Sequence, residues 1–283
     1  MTRGAGTERE LRDVAYASGS PAQKLDLHLP RVAGPFPVVL WVHGGAWRSG
    51  DKALGAHAPQ RRLLERGWAL ASVNYRLSSE ATFPAQLHDV RAAVRWLRTH
   101  AAALGLDAGR MAAWGASAGG HLAALLGTTG NIPALDGESA GAAAVSSGVR
   151  AVVDWFGPTD FLRMDAQAEE NGCPPYEGAG HAAPDSPESR LLGAPITERP
   201  DLVRAANPCT YVDHHAPPFL IQHGRRDCVV PWQQSELLRA ALLPVLGPER
   251  VRLTLLDAGH GGGAFHTEAN LDEVVSFLAR HLG

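Results

Sequence analysis

Three cysteines in 283 residues are too few for a disulfide scaffold, and Cys173, Cys209 and Cys228 lack the paired spacing of a metal knot. Unpaired thiols are the expectation, and a Cys173–Cys209 bridge tying down the segment between them is the alternative. Charge of one sign is also lacking, since 26 Lys and Arg face 29 Asp and Glu for a formal net charge of -3. No global field therefore collects nucleic acid or an anionic membrane, and Arg61-Arg62 and Arg225-Arg226 are too short to change that. No apolar run reaches the length of a membrane span, and the stretch from Met1 to Glu10 has no apolar core of a secretory signal. The expectation is a soluble chain, cytoplasmic by default, whose partner is a small, mostly neutral molecule. The adjacent His214 and His215 have no Cys or third His at metal-ligand spacing and read as loop residues, so they suggest no metal site.

What is present is a chain that is 45% hydrophobic, enough to bury a full core, and residues 1–283 read as a single α/β domain. Arg12 to Ala17 and Lys24 to Leu29 flank Ser18-Gly19-Ser20-Pro21 as an opening hairpin. Apolar runs at 38–42, 68–73, 111–114, 149–156, 218–223 and 251–256 then read as strands covered on both faces. Helices are expected around 58–66, from Pro84 to about Leu104, after residue 119, and over 233–243 and 269–282. This alternation predicts a mostly parallel sheet flanked by helices. Residues 157–208 break the rhythm with Pro, Gly and acidic residues and read as a loop-rich insertion over the carboxyl edge of the sheet. Asp136 to Gly148 reads as a flexible surface loop.

The chemistry is signalled by Gly115-Ala116-Ser117-Ala118-Gly119, set between a strand-like and a helix-like run. Small neighbours allow a strained turn that lifts the Ser117 hydroxyl above the sheet end. A hydroxyl is a poor nucleophile without a base, and the base needs an orienting acid. Asp227 follows the strand ending at His223, and His260 follows the strand ending at Leu256, so both sit at the carboxyl edge with Ser117. The order Ser, Asp, His suits this sheet. His266 and Asp257 are the rivals, set aside because one opens the last helix and the other lies too near His260. For an oxyanion, Ala118 and the loop His43-Gly44-Gly45-Ala46-Trp47 supply N–H groups, with Gly45 and Ala46 as donors and Gly44 shaping the turn. Trp47, Phe161, Tyr176, Trp232 and Phe265 are candidates to line the substrate site.

With these motifs, Asn74-Tyr75-Arg76-Leu77, Phe83-Pro84-Ala85-Gln86 and His223-Gly224-Arg225-Arg226-Asp227, the chain resembles the α/β-hydrolase superfamily from about Asp13 onward. Within it, the resemblance is to hormone-sensitive-lipase-like esterases and more closely to bacterial feruloyl- and acetyl-esterase-like enzymes. It implies an α/β-hydrolase fold and a serine carboxylic-ester hydrolase with no cofactor, acting on short-acyl or aromatic-acid esters, acetylated or feruloylated carbohydrate among them. It also implies that Tyr75, Arg76, Glu80 and Asp89 brace the oxyanion turn. Ala46-Trp47 stands where a third glycine is common, a feature shared with kynurenine formamidases, so an arylformamidase is the alternative. A non-catalytic receptor on the same fold is the reading from another class.

Overall fold

In the strand β3 (Phe36–Val42), Val38, Leu40 and Val42 enter one hydrophobic cluster while Val39 and Trp41 enter another, so this strand is buried on both faces. That two-sided burial is what places a strand inside a helix-covered sheet. The computed structural model describes residues 8–135, 137 and 145–283. Most of the loop expected at Asp136 to Gly148 lies outside the described residues.

Among the described residues, eight strands form one sheet: β1 (Glu8–Ala15), β2 (Lys24–Pro30), β3 (Phe36–Val42), β4 (Ala69–Val73), β5 (Leu106–Ala116), β6 (Val152–Trp155), β7 (Phe219–Gly224) and β8 (Val251–Leu256). Their order is β1-β2-β4-β3-β5-β6-β7-β8. β2 runs antiparallel to both neighbours, and the remaining pairs are parallel. This is the α/β-hydrolase fold. The opening hairpin starts earlier than expected, at Glu8, because a bulge between Leu11 and Val14 lets pairing continue past Asp13.

The helices are α1 (Arg62–Glu65), α2 (Ala85–Thr99), α3 (Ala101–Leu104), α4 (Ala118–Thr129), α5 (Met164–Glu170), α6 (Pro187–Leu192), α7 (Pro200–Ala206), α8 (Gln233–Leu246) and α9 (Glu268–Leu282). α2, α4 and α8 cover one face of the sheet through Val90, Val94, Leu122, Leu126, Leu238 and Leu242. α1 and α9 cover the other through Leu63, Leu271, Val274 and Leu278, over the edge-on tryptophans Trp41, Trp114 and Trp155. The single helix expected from Pro84 to Leu104 is two, broken at His100. The segment 157–208 is richer in helix than expected, since α5, α6 and α7 fall inside it.

The cysteines correct both sequence readings: Cys173 bonds to Cys228, with Cα atoms 5.4 Å apart, and Cys209 is free. Cys173 follows α5 and meets the turn after Asp227, whereas the Cys209 thiol packs against the Leu237 carbonyl of α8 and burial pushes it up to about 12. The bridge therefore ties the insertion to the loop carrying Asp227. Its sequence separation of 55 corresponds to about 4 kcal/mol of loop-closure stabilisation. Cys173→Ser is expected to lower the urea midpoint by a corresponding amount, and alkylation of the denatured, unreduced wild type should label one cysteine by mass.

Asp154, in β6, is a buried carboxyl whose Oδ1 accepts from the Gly157 N–H at 3.0 Å. Burial pushes it up to about 6, against the opposing pull of that N–H and of His223. A carboxyl whose folded value is raised stabilises the protein fully at low pH and loses that contribution as pH climbs from about 4 through 6. Asp154→Asn keeps the acceptor without the charge. It is expected to gain about 1 to 3 kcal/mol in urea unfolding at pH 8 and about half of that at pH 5.

Candidate active site

Ser117 sits between β5 and α4 at φ 56°, a left-handed conformation that costs energy for any residue with a Cβ. The flanking glycines allow it: a Cβ on Gly115 would lie 2.0 Å from the Gly119 carbonyl oxygen, and one on Gly119 would lie 2.0 Å from that of Val42. The serine N–H donates to the Trp155 carbonyl at 2.8 Å, fastening the turn to β6. The outcome is a hydroxyl raised above the sheet at the N-terminus of a helix.

That hydroxyl lies 2.9 Å from His260 Nε2, and His260 Nδ1–H donates to Asp227 Oδ2 at 2.7 Å. The Phe156 ring packs against the imidazole at 4.7 Å. Asp227 is 1% exposed. Its Oδ1 accepts the backbone N–H groups of Val229 and Val230 at 2.8 and 2.9 Å. His223, on β7, stands 3.2 Å from Oδ2, with its Nε2 also 2.8 Å from the Val230 carbonyl and its Nδ1 2.7 Å from the Ser235 hydroxyl. Burial pushes the Asp227 carboxyl up, but hydrogen bonds and charge from His223 and His260 outweigh it and hold the carboxyl well below the usual range. Asp227 thus remains an acceptor for the imidazole at neutral pH. Asp257 instead pairs with Arg226 and is 83% exposed, and His266 is exposed on the turn before α9.

The loop after β3 bends through three residues of positive φ, Gly45, Ala46 and Trp47. Gly45 forms its inner corner, where a Cβ would meet the Ser49 carbonyl oxygen at 2.2 Å. Tyr75 holds the loop from beneath, donating to the His43 carbonyl at 3.0 Å and stacking on its ring at 4.5 Å. Buried Asp89 accepts from Arg76 and Gln23 in turn, and Glu80 accepts from Ser20.

A narrow cleft with room for about 20 Å³ opens over Ser117, lined by Ala46, Trp47, Ala118, Pro158, Tyr176, His181, Pro187, Glu188, Val229 and Val230. Trp47 and Tyr176 thus border the cleft, and three of the expected aromatic residues do not. Phe161 is buried behind it against Trp47 and His121, each at 5.4 Å. Phe265 packs into the opposite core against Phe156 and Trp155. Trp232 is half-buried at the start of α8. Phe161 and Phe265 are apolar side chains claimed by nearer core surfaces. Among the described residues, no cluster of three or more His, Cys, Asp or Glu could hold a metal ion, and no helix is long and apolar enough to cross a membrane.

Residues 25–242 match the BD-FAE family. The chain belongs to that family. This BD-FAE member is 35% identical to the esterase LipC of Mycobacterium tuberculosis over 88% of its own length and 59% of LipC. It is similar to a solved truncated carbohydrate esterase from gut microbiota, at 30% identity and TM-score 0.84, covering 97% of this chain and 96% of that one. It is also similar to a bifunctional GH43-CE protein of Bacteroides eggerthii, at 33% identity and TM-score 0.85, covering 97% of this chain and 35% of that one. The chain spans about half the length of the curated relatives it matches, 59%, 52% and 49% of the first three.

In this BD-FAE chain a hydroxyl, an imidazole and a carboxylate form one line of hydrogen bonds beside backbone N–H groups, an arrangement able to deprotonate the hydroxyl and hold a developing oxyanion. Phe156 escaped the sequence reading because its partner His260 is distant in the chain, and His181 and Glu188 because only the folded insertion brings them to the cleft. Only the position of His223 four residues before Asp227 hinted at its contact. Asp227→Asn is expected to lower kcat/KM for a simple ester by about 10³- to 10⁴-fold with the fold retained. Asp257→Asn should change it less than twofold, and the reverse ranking would move the acid role to Asp257.

Proposed function

We propose that this protein is a serine carboxylesterase that cleaves esters through an acyl-enzyme. The observation that carries this is the continuous path from Ser117 Oγ through His260 to buried Asp227. His260 takes the Ser117 proton as the oxygen attacks the ester carbonyl carbon. The resulting oxyanion is held by N–H groups of Ala46, Gly45 and Ala118, helped by the positive end of α4. His260 then protonates the departing alcohol oxygen. Water, deprotonated by His260, attacks the acyl carbon, and collapse returns Ser117 and frees the acid. Asp227 orients the imidazole and balances its charge in both halves.

Short-acyl or aromatic-acid esters of carbohydrate are the proposed substrates. The small cleft over Ser117 and the carbohydrate esterase named among the structural neighbours support that class. A fluorophosphonate is expected to label Ser117 in the wild type and not in Ser117→Ala, which should lose about 10⁴-fold or more in turnover. Rates on p-nitrophenyl acetate, methyl ferulate, acetylated xylan and N-formylkynurenine should favour the esters. A preference for N-formylkynurenine would make the protein an arylformamidase, and no labelling would make it a binder.

A further inference from the structure

The lining of the cleft over Ser117 contains a hydrogen-bonded histidine and glutamate that the ester-cleaving residues do not use. His181 and Glu188 both line the cleft and are 1% and 4% exposed. Nδ1 of His181 lies 3.0 Å from Oε1 of Glu188. The rest of each group is unsatisfied: His181 Nε2 and Glu188 Oε2 are buried and meet no hydrogen-bond partner among the described residues. Trp47, another lining residue of the same cleft, likewise carries an Nε1–H without an acceptor among the described residues. Buried polar atoms left in this state weaken a fold, and an apolar pair would fill the wall without that loss.

The pair is held rigidly. The His181 backbone N–H donates to Asp165 at 2.6 Å, and its ring stacks on Tyr176 at 4.7 Å and 5°. Glu188 lies in the first turn of α6, capped by Ser186, and Glu177 beside Tyr176 is ion-paired with Arg48 of the oxyanion loop. The cleft wall and the oxyanion turn therefore meet through this ion pair. When Nδ1–H donates to Glu188, Nε2 and Oε2 present two acceptors, and Trp47 Nε1–H adds a donor. Alcohol hydroxyls, which donate and accept, match that set, whereas a second carboxylate is repelled by Glu188.

We propose that His181 and Glu188 form a hydroxyl-binding subsite that selects esters of polyhydroxy alcohols by gripping the free hydroxyls flanking the ester oxygen. This rests on the esterase reading above and adds the residues that choose the alcohol. The test compares wild type, His181→Phe and Glu188→Gln on three acetates: a methyl xyloside carrying one acetyl group, the fully acetylated methyl xyloside, and p-nitrophenyl acetate. Each variant is expected to lose at least about tenfold in kcat/KM on the monoacetate, mostly through KM. That loss should exceed those on the other two acetates by a similar factor. Equal losses on all three, or a larger loss on p-nitrophenyl acetate than on the monoacetate, overturn the proposal. A readout independent of turnover is saturation-transfer NMR of methyl β-xyloside with Ser117→Ala. Binding that disappears on adding His181→Phe, with the melting temperature kept, supports the subsite even if no ester is cleaved. Undiminished or absent xyloside binding, in a folded protein, overturns it.

Discussion

Everything at the carboxyl edge depends on the backbone of Ser117 being held at positive φ between β5 and α4. The strain is kept because the turn is clamped on three sides: by the Trp155 carbonyl, by the close backbone approach of Gly115 and Gly119, and by the carbonyl of Val42. With those contacts made, relaxing the turn would break strand and helix packing together. The clamp converts tight packing into a fixed position for one oxygen, and His260 and the cleft are arranged around that position.

Asp227 is the second fixed point. A carboxylate this deeply buried is costly unless its lone pairs are filled, and two backbone N–H groups and two imidazoles fill them. Cys228 follows it directly and bonds to Cys173, so the acid loop and the insertion are covalently one piece. His121, pushed down to about 4 by burial and therefore neutral, donates its Nε2–H to the Ala206 carbonyl at 2.7 Å and joins the elbow helix to the end of α7. Gln234 of α8 reaches the start of the insertion through the N–H groups of Thr159 and Asp160. The segment 157–208 is thus a fixed wall over the serine, fastened at its start, middle and end.

The strand and helix rhythm, the elbow and the order of Ser117, Asp227 and His260 were legible in the amino-acid sequence because they are local: apolar period, small residues around a turn, and polar residues just past strand ends. The parallel sheet followed from that rhythm, since strands buried on both faces and joined by helices have few other arrangements. Tertiary structure decided what depends on approach between distant segments. Cys173 pairs with Cys228 and not Cys209 because α8 covers the Cys209 thiol. Phe161 and Phe265 turn away from the cleft because each meets a nearer apolar surface. His181 and Glu188, seven positions apart in a stretch rich in turns, show no periodicity that marks them, and only the folding of the insertion over Ser117 brings them into the lining of the same cleft. Local patterns carry the chemistry of the nucleophile, and long-range packing carries the choice of what it meets.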